Sequence, residues 1–238
     1  MALKTWIFAG LCEKSDLLLY LCKLLASVDK RVLLVDATQS HKYPLYIGLL
    51  DKPLEITEFM NFDVACGFTS QVHLEEHLRY GEEKLERYDY VIYDVENLSF
   101  CAMETWRDSD LRVWTTDYGV WSLSEGSQWL NALNRQHSEL KDMIFQLVYM
   151  HAVDTLLESS YIEDYVEGWP VCWEREPIII PWDEMDMALK LENEHQRQLR
   201  MKPLSRRYKK ALGILMKLAE LDDEHIKRAL RSAGRTKI

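Results

Sequence analysis

The chain has 238 residues, 47% apolar and 29% charged, with 29 Lys and Arg against 39 Asp and Glu and a net charge of −10. That length and apolar content suit a single domain, residues 1–238, with a core of its own and no need of staples. The acidic balance excludes broad, non-specific binding to nucleic acid, because affinity for a polyanion needs a basic surface.

The N-terminus lacks a charged segment followed by an apolar one, and no apolar run approaches about 20 residues. A cytoplasmic protein is therefore expected, brought to a membrane only by a partner. The five cysteines (Cys12, Cys22, Cys66, Cys101, Cys172) form no Cys-x-x-Cys pair and are expected as reduced, packed thiols.

Thr5–Ala9 is the first predicted strand. Leu17, Leu18, Leu21, Leu24, Leu25 and Val28 follow at helical spacing, with Ser15 or Asp16 as the expected cap. Arg31–Val35 is the second strand, apolar throughout after its arginine, as a strand buried on both faces must be. Residues 39–87 read as short helices and loop, punctuated by Pro44, Pro53 and Gly67. Tyr90–Tyr93, Leu111–Thr115, Ile144–Tyr149 and Ile178–Ile180 are further predicted strands, with an amphipathic helix over Ser124–Leu140. Residues 204–231 read as one terminal helix. Strands alternating with helices predict an α/β fold, a mainly parallel sheet with helices on both faces.

Four segments carry a family resemblance, in order. Gly10-Leu11-Cys12-Glu13-Lys14-Ser15-Asp16 lies between the first strand and its helix. Arg31-Val32-Leu33-Leu34-Val35-Asp36-Ala37-Thr38 and Tyr88-Asp89-Tyr90-Val91-Ile92-Tyr93-Asp94 are strands running to an aspartate, and Ile179-Ile180-Pro181-Trp182-Asp183 is a late strand end. Together they resemble the phosphate loop, second strand, Walker B strand and base-site strand of the ParA/MinD-like deviant P-loop ATPases, across nearly the full chain. The resemblance implies a P-loop NTPase fold and a phosphate and metal site at Gly10, Lys14, Ser15, Asp36 and Asp94, serving ATP and Mg²⁺.

The departures from that family are as informative. A loop that cradles phosphate needs several glycines so that backbone N–H groups can close on the anion. Only Gly10 survives. Leu11 and Glu13 stand where the family has glycine, Ala9 where it has its characteristic lysine, and Thr38 where it has a catalytic aspartate; Val95 and Glu96 follow Asp94 in place of Thr-Pro-Pro. Ser15 keeps the metal-binding hydroxyl. Lys14 is expected to pair locally with Glu13 or to sit solvated at the helix start. The expectation is a relic site with no catalytic residue, no metal and no cofactor, ATP and Mg²⁺ entering only if the site works.

No other constellation carries chemistry. His73 and His77 lie four apart but lack the adjacent glutamate and third ligand of a zinc helix, and Ser122 and Ser124 lack the Gly-x-Ser-x-Gly elbow. Eight tryptophans and twelve tyrosines are expected mostly in the core, with some exposed at interfaces. The basic run Arg206, Arg207, Lys209 and Lys210, with the tail from Lys227 to Lys237, stands out against the acidic body and is the expected partner-binding surface, a protein or a membrane periphery being its counterpart. The favoured reading is a degenerate member acting as an assembly or localisation platform for a pilus, secretion, flagellar, conjugation or partition machine, as a homodimer or beside an active paralogue. The alternatives are a divergent ATP-binding dimerisation switch with weak turnover, and a small-molecule enzyme on a related α/β scaffold.

Overall fold

The computed structural model describes residues 3–48, 55–155, 161–162, 165–166, 168–174 and 176–233. Pro53 and the end of the basic tail lie outside them. Nine strands form one sheet in the order β3-β4-β2-β5-β1-β6-β7, with β8 and β9 both on the outer edge of β7. The strands are β1 (Lys4–Ala9), β2 (Val32–Ala37), β3 (Glu55–Phe59), β4 (Phe62–Cys66), β5 (Tyr90–Val95), β6 (Leu111–Thr116), β7 (Ile144–Ala152), β8 (Cys172–Trp173) and β9 (Ile178–Pro181). Every pairing is parallel except the β3–β4 hairpin.

Alternate residues of the central strands feed two cores. Trp6, Phe8, Val32 and Leu34 face one side of the sheet with helices α1 (Ser15–Ala26), α6 (Glu184–Gln196), α7 (Arg206–Leu218) and α8 (Asp223–Ala233). Ile7, Ala9, Leu33 and Val35 face the other, with α3 (Gln71–Tyr80), α4 (Met103–Asp108) and α5 (Val120–Gln136). A short α2 (Tyr43–Ile47) follows β2. The period-2 burial on both faces explains why the central strands read as unbroken apolar runs. All six predicted strands are present, each extended by one to three residues at one or both ends or shifted by as much.

Two expectations are corrected. The stretch 39–87 is not only helix and loop: it holds the β3–β4 hairpin, whose β4 pairs in parallel with β2. Its two-residue turn, Met60-Asn61, has both φ values positive, 51° and 71°, the geometry normally announced by Asn-Gly. The terminal helix is two helices. Glu220 takes a left-handed φ of 60° after α7, and Asp222 accepts from the His225 N–H (2.8 Å) to start α8, with no glycine to mark the break.

The core assignment is tested at Leu33, fully buried on β2 between β4 and β5. Leu33→Asp drives an unpaired charge into a strand covered on both faces and should abolish the cooperative melt. Leu33→Val should cost only about 1 kcal/mol. Circular dichroism melts decide: a cooperative, soluble Leu33→Asp protein contradicts this core.

Candidate functional site

The parallel strands β1, β2 and β5 end side by side, which is where open α/β sheets place ligands. After β1 the chain turns at Gly10 with φ of +136°. A Cβ there would lie 2.0 Å from the Thr115 carbonyl oxygen, so packing against β6 alone demands this glycine. The Gly10 N–H donates to the Val95 carbonyl (3.3 Å).

Lys14 ends the loop and is fully buried. It pairs with neither solvent nor Glu13, contrary to the sequence expectation. Its Nζ donates to the Gly10 carbonyl (2.7 Å), sits 2.7 Å from Asp94 Oδ1 and lies 3.8 Å from Glu96 Oε1. Burial pulls the Lys14 pKa down, but the Asp94 and Glu96 charges outweigh burial and raise it. The ammonium stays charged. The other Asp94 oxygen accepts from the Tyr43 hydroxyl (2.8 Å).

Neither Ser15 nor Asp16 caps α1. Glu13 does: its Oε1 accepts from the Ser15 N–H (2.9 Å) and from the Ser15 hydroxyl, while Oε2 receives Lys42 Nζ at 2.9 Å. A carboxylate thus sits on the positive end of the helix, the position at which such a loop otherwise meets an anion. Burial pushes the Glu13 carboxyl up, yet the Lys42 charge and the bonds from Lys42 and Ser15 hold it down at about 2. Lys42 also lies 3.6 Å from Glu96 Oε1.

Asp36 and Asp94 face each other across β2 and β5. Asp36 is fully buried. Its Oδ1 accepts from the Thr38 N–H (3.1 Å) and hydroxyl (2.6 Å), and its Oδ2 has no partner among the described residues. Burial raises its pKa against the two Thr38 bonds. Glu96 Oε2 accepts from the Gln39 N–H (3.1 Å). Three carboxylates (Glu13, Asp94, Glu96) therefore surround two ammonium groups (Lys14, Lys42), with Asp36 beside Asp94 on the next strand. The structure places Gly10, Lys14, Ser15, Asp36 and Asp94 at the ends of β1, β2 and β5 and the start of α1, together with Lys42 and Tyr43, which sequence reasoning did not name. Neither belongs to a motif, and only the fold delivers α2 to this corner.

The remaining candidates serve structure. Asp16 Oδ2 accepts from the Tyr208 hydroxyl (2.8 Å), tying α1 to α7. Asp183 caps α6, accepting from the N–H groups of Met185 (2.9 Å) and Asp186 (3.1 Å). His73 and His77 lie edge-on to Phe68. Among the described residues, no group of three or more His, Cys, Asp or Glu is arranged to hold a metal, and no helix is long and apolar enough to cross a membrane. Cys12, Cys22, Cys66 and Cys101 are buried and Cys172 is exposed.

No protein-family model and no curated protein matches the chain. Solved structures do. A putative plasmid partition protein from Borrelia burgdorferi, bound to AMPPNP, superposes with a TM-score of 0.55 at 13% identity over 92% of this chain and 100% of that one. The MinC:MinD cell division protein complex of Aquifex aeolicus gives 0.50 at 12% identity over 99% and 97%. A second Borrelia burgdorferi partition protein structure gives 0.52 at 12% identity over 91% and 99%. With its parallel sheet, its helices on both faces and its loop between β1 and α1, the chain has the ParA/MinD-like P-loop NTPase fold.

Proposed function

We propose that this protein is a catalytically degenerate ParA/MinD-like protein that works through protein contacts, as an assembly or localisation platform for a cellular machine. One observation carries the reading: the phosphate corner is filled by the chain's own charges. A triphosphate needs free N–H groups at the start of α1, a lysine free to reach it and a net positive field. Here Glu13 takes the Ser15 N–H, Lys14 is held by Asp94 and Gly10, and carboxylates outnumber ammonium groups. The residues do not fit ATP and Mg²⁺ as arranged. The loss of several charge-stabilising groups, each worth on the order of 10²–10³ in rate, argues in the same direction against turnover.

Two surfaces support a role through contacts. Arg206, Arg207 and Lys210 are exposed at the first turns of α7 and have no ion-pair or hydrogen-bond partner among the described residues, while Lys209 donates to the Lys202 carbonyl (2.8 Å). Cations at the positive end of a helix destabilise it by about 0.3–1 kcal/mol, so fold stability does not explain them. The second surface is apolar. Val120 and Trp121 follow β6, and Trp182 and Met185 follow β9, all between 50% and 73% exposed. The parallel run of β6, β7 and β9 puts them on the same sheet edge as the relic site. Exposed tryptophans there suit a protein interface. The neighbours' printed names, a cell division protein complex and a partition protein, agree with a positioning role and with protein partners.

The first test is binding. A fluorescent ATP analogue with Mg²⁺ should show no saturable signal at sub-millimolar concentration, whereas tight Mg²⁺-dependent binding lost in Lys14→Ala establishes the ATP-switch reading instead. The second is a double-mutant cycle on Lys14→Ala and Asp94→Asn, read by urea melts. Either single change should cost roughly 3–5 kcal/mol by stranding a buried charge, and the pair should show a coupling of about 1–3 kcal/mol. Additive effects mean that the two groups are not partners.

The third test separates relic from surface in cells. The Lys14→Ala/Asp94→Asn protein, at a temperature where it remains folded, should localise normally. Replacing Arg206, Arg207, Lys209 and Lys210 by Glu should leave the protein folded, since acids suit that helix end, but diffuse. Truncation after Leu221 is a poorer probe, because α8 buries Ile226, Ala229 and Ala233. A localised charge-reversed protein with a mislocalised relic variant refutes the platform role.

A further inference from the structure

A cleft of about 880 Å³ opens between α3 and α4, on the sheet face opposite α7. It is separate from the relic corner and shares no residue with it. Leu3, Leu78, Leu85 and Tyr93 give it an apolar floor. Glu75, Glu82, Glu83, Glu86, Glu104 and Asp108 rim it, against Arg79 and Lys84 alone.

The charges of the rim are unequally committed. Glu83 pairs with Arg87, Asp108 with Arg107 and Arg79 with Glu76, and Glu75 accepts from the Gln71 amide. The carboxylates of Glu82, Glu86 and Glu104 have no ion pair or hydrogen bond among the described residues. Glu82 is held at a left-handed φ of 58°, a conformation unusual for a residue without special need of it. At the floor the decisive group is Tyr93. Its side chain is 1% exposed and lines the cleft, yet its hydroxyl has no hydrogen-bond partner among the described residues.

We propose that this cleft receives a basic amphipathic helix of a partner protein, with one arginine or lysine reaching the Tyr93 hydroxyl and others meeting Glu82, Glu86 and Glu104. The volume is enough for about two turns of a helix 10 Å wide. An apolar floor between acidic rims matches a helix with leucines on one face and cations beside them. A cationic N–H donates to the phenol oxygen while the side-chain stem lies on Leu78 and Leu85. Anionic ligands are repelled by the rim, and a small apolar ligand leaves the carboxylates and the phenol unanswered. This inference does not depend on the platform reading.

The probe is a synthetic fluorescein-labelled 14-residue helical peptide with Leu at i, i+3, i+4 and i+7 and Arg on the flanking positions, titrated by anisotropy against the full chain. Saturable binding is expected, and it should weaken as salt rises. The same peptide with Glu for Arg should not bind. The triple variant Glu82→Lys/Glu86→Lys/Glu104→Lys should weaken binding more than tenfold, and Tyr93→Phe, which removes one oxygen, by about tenfold through a lost charged hydrogen bond. Melting temperatures check that both variants fold. As control, Glu184→Lys/Glu224→Lys reverses exposed acids elsewhere. Equal weakening by this control means diffuse attraction to an acidic protein and overturns the site. So does a Tyr93→Phe affinity equal to that of the parent, or no saturable binding at all. If the parent chain sediments as a dimer that only the triple variant disrupts, the occupant is a second copy and the foreign partner is refuted.

Discussion

An ammonium with no exposure to water is tolerable only where fixed opposite charge surrounds it, because desolvation alone would neutralise it. Lys14 meets that condition against Asp94, Gly10 and Glu96, and the corner of the molecule is organised around it. Asp94 belongs to β5, Gly10 to the exit of β1 and Lys14 to the entry of α1, while Tyr43 brings α2 onto the second Asp94 oxygen. One buried pair therefore fixes where two strands end and two helices begin. Lys42 and Glu13 then close the outer side. An incoming anion would have to free Lys14 from the Asp94 carboxylate, 2.7 Å away. It would also have to displace Glu13 from the helix end, an attraction already satisfied within the chain.

The sequence carried the sheet because its central strands are buried on both faces and so are written in unbroken apolar residues. Val32 to Val35 and Val91 to Tyr93 leave no other reading. It failed where geometry is set by exceptions. Met60 and Asn61 make a left-handed hairpin turn without a glycine, so the strands on either side went unread. Glu220 breaks the terminal helix in the same way. The composition of the Gly10–Asp16 corner was visible: one glycine, with Glu13 beside Lys14. Its wiring was not. Adjacent charges suggested a Glu13–Lys14 pair, but consecutive residues at a helix start point apart, and the fold hands Lys14 to β5 and Glu13 to Lys42. Long-range partners of this kind have no signal in one sequence.

The same physics sorts the charges of the whole chain into two kinds. Those at the Lys14 corner are buried or half-buried, and most are paired, while the second oxygen of Asp36 has no hydrogen-bond partner among the described residues. Arg206, Arg207 and Lys210 at the start of α7, and Glu82, Glu86 and Glu104 at the rim of the α3–α4 cleft, are exposed and have no ion-pair partner among the described residues. A charge satisfied inside the molecule stabilises the fold and is lost to ligands. A charge left open on the surface contributes little to stability and remains available for encounter with a partner.

The open charges are also segregated. The basic turn of α7 packs with the core on one side of the sheet, and the acidic cleft lies with the core on the other. A strand sheet is an effective separator, because its two faces are joined only through packed side chains. Partners of opposite charge would therefore meet opposite faces of the sheet. Each attracts the charge that the other repels, which gives a direction to anything assembled on this protein. Between them, on the sheet edge, Trp121 and Trp182 offer contact area without charge. The nucleotide that sets orientation in a switch is not required for that arrangement: the polarity is built into which helices cover which face.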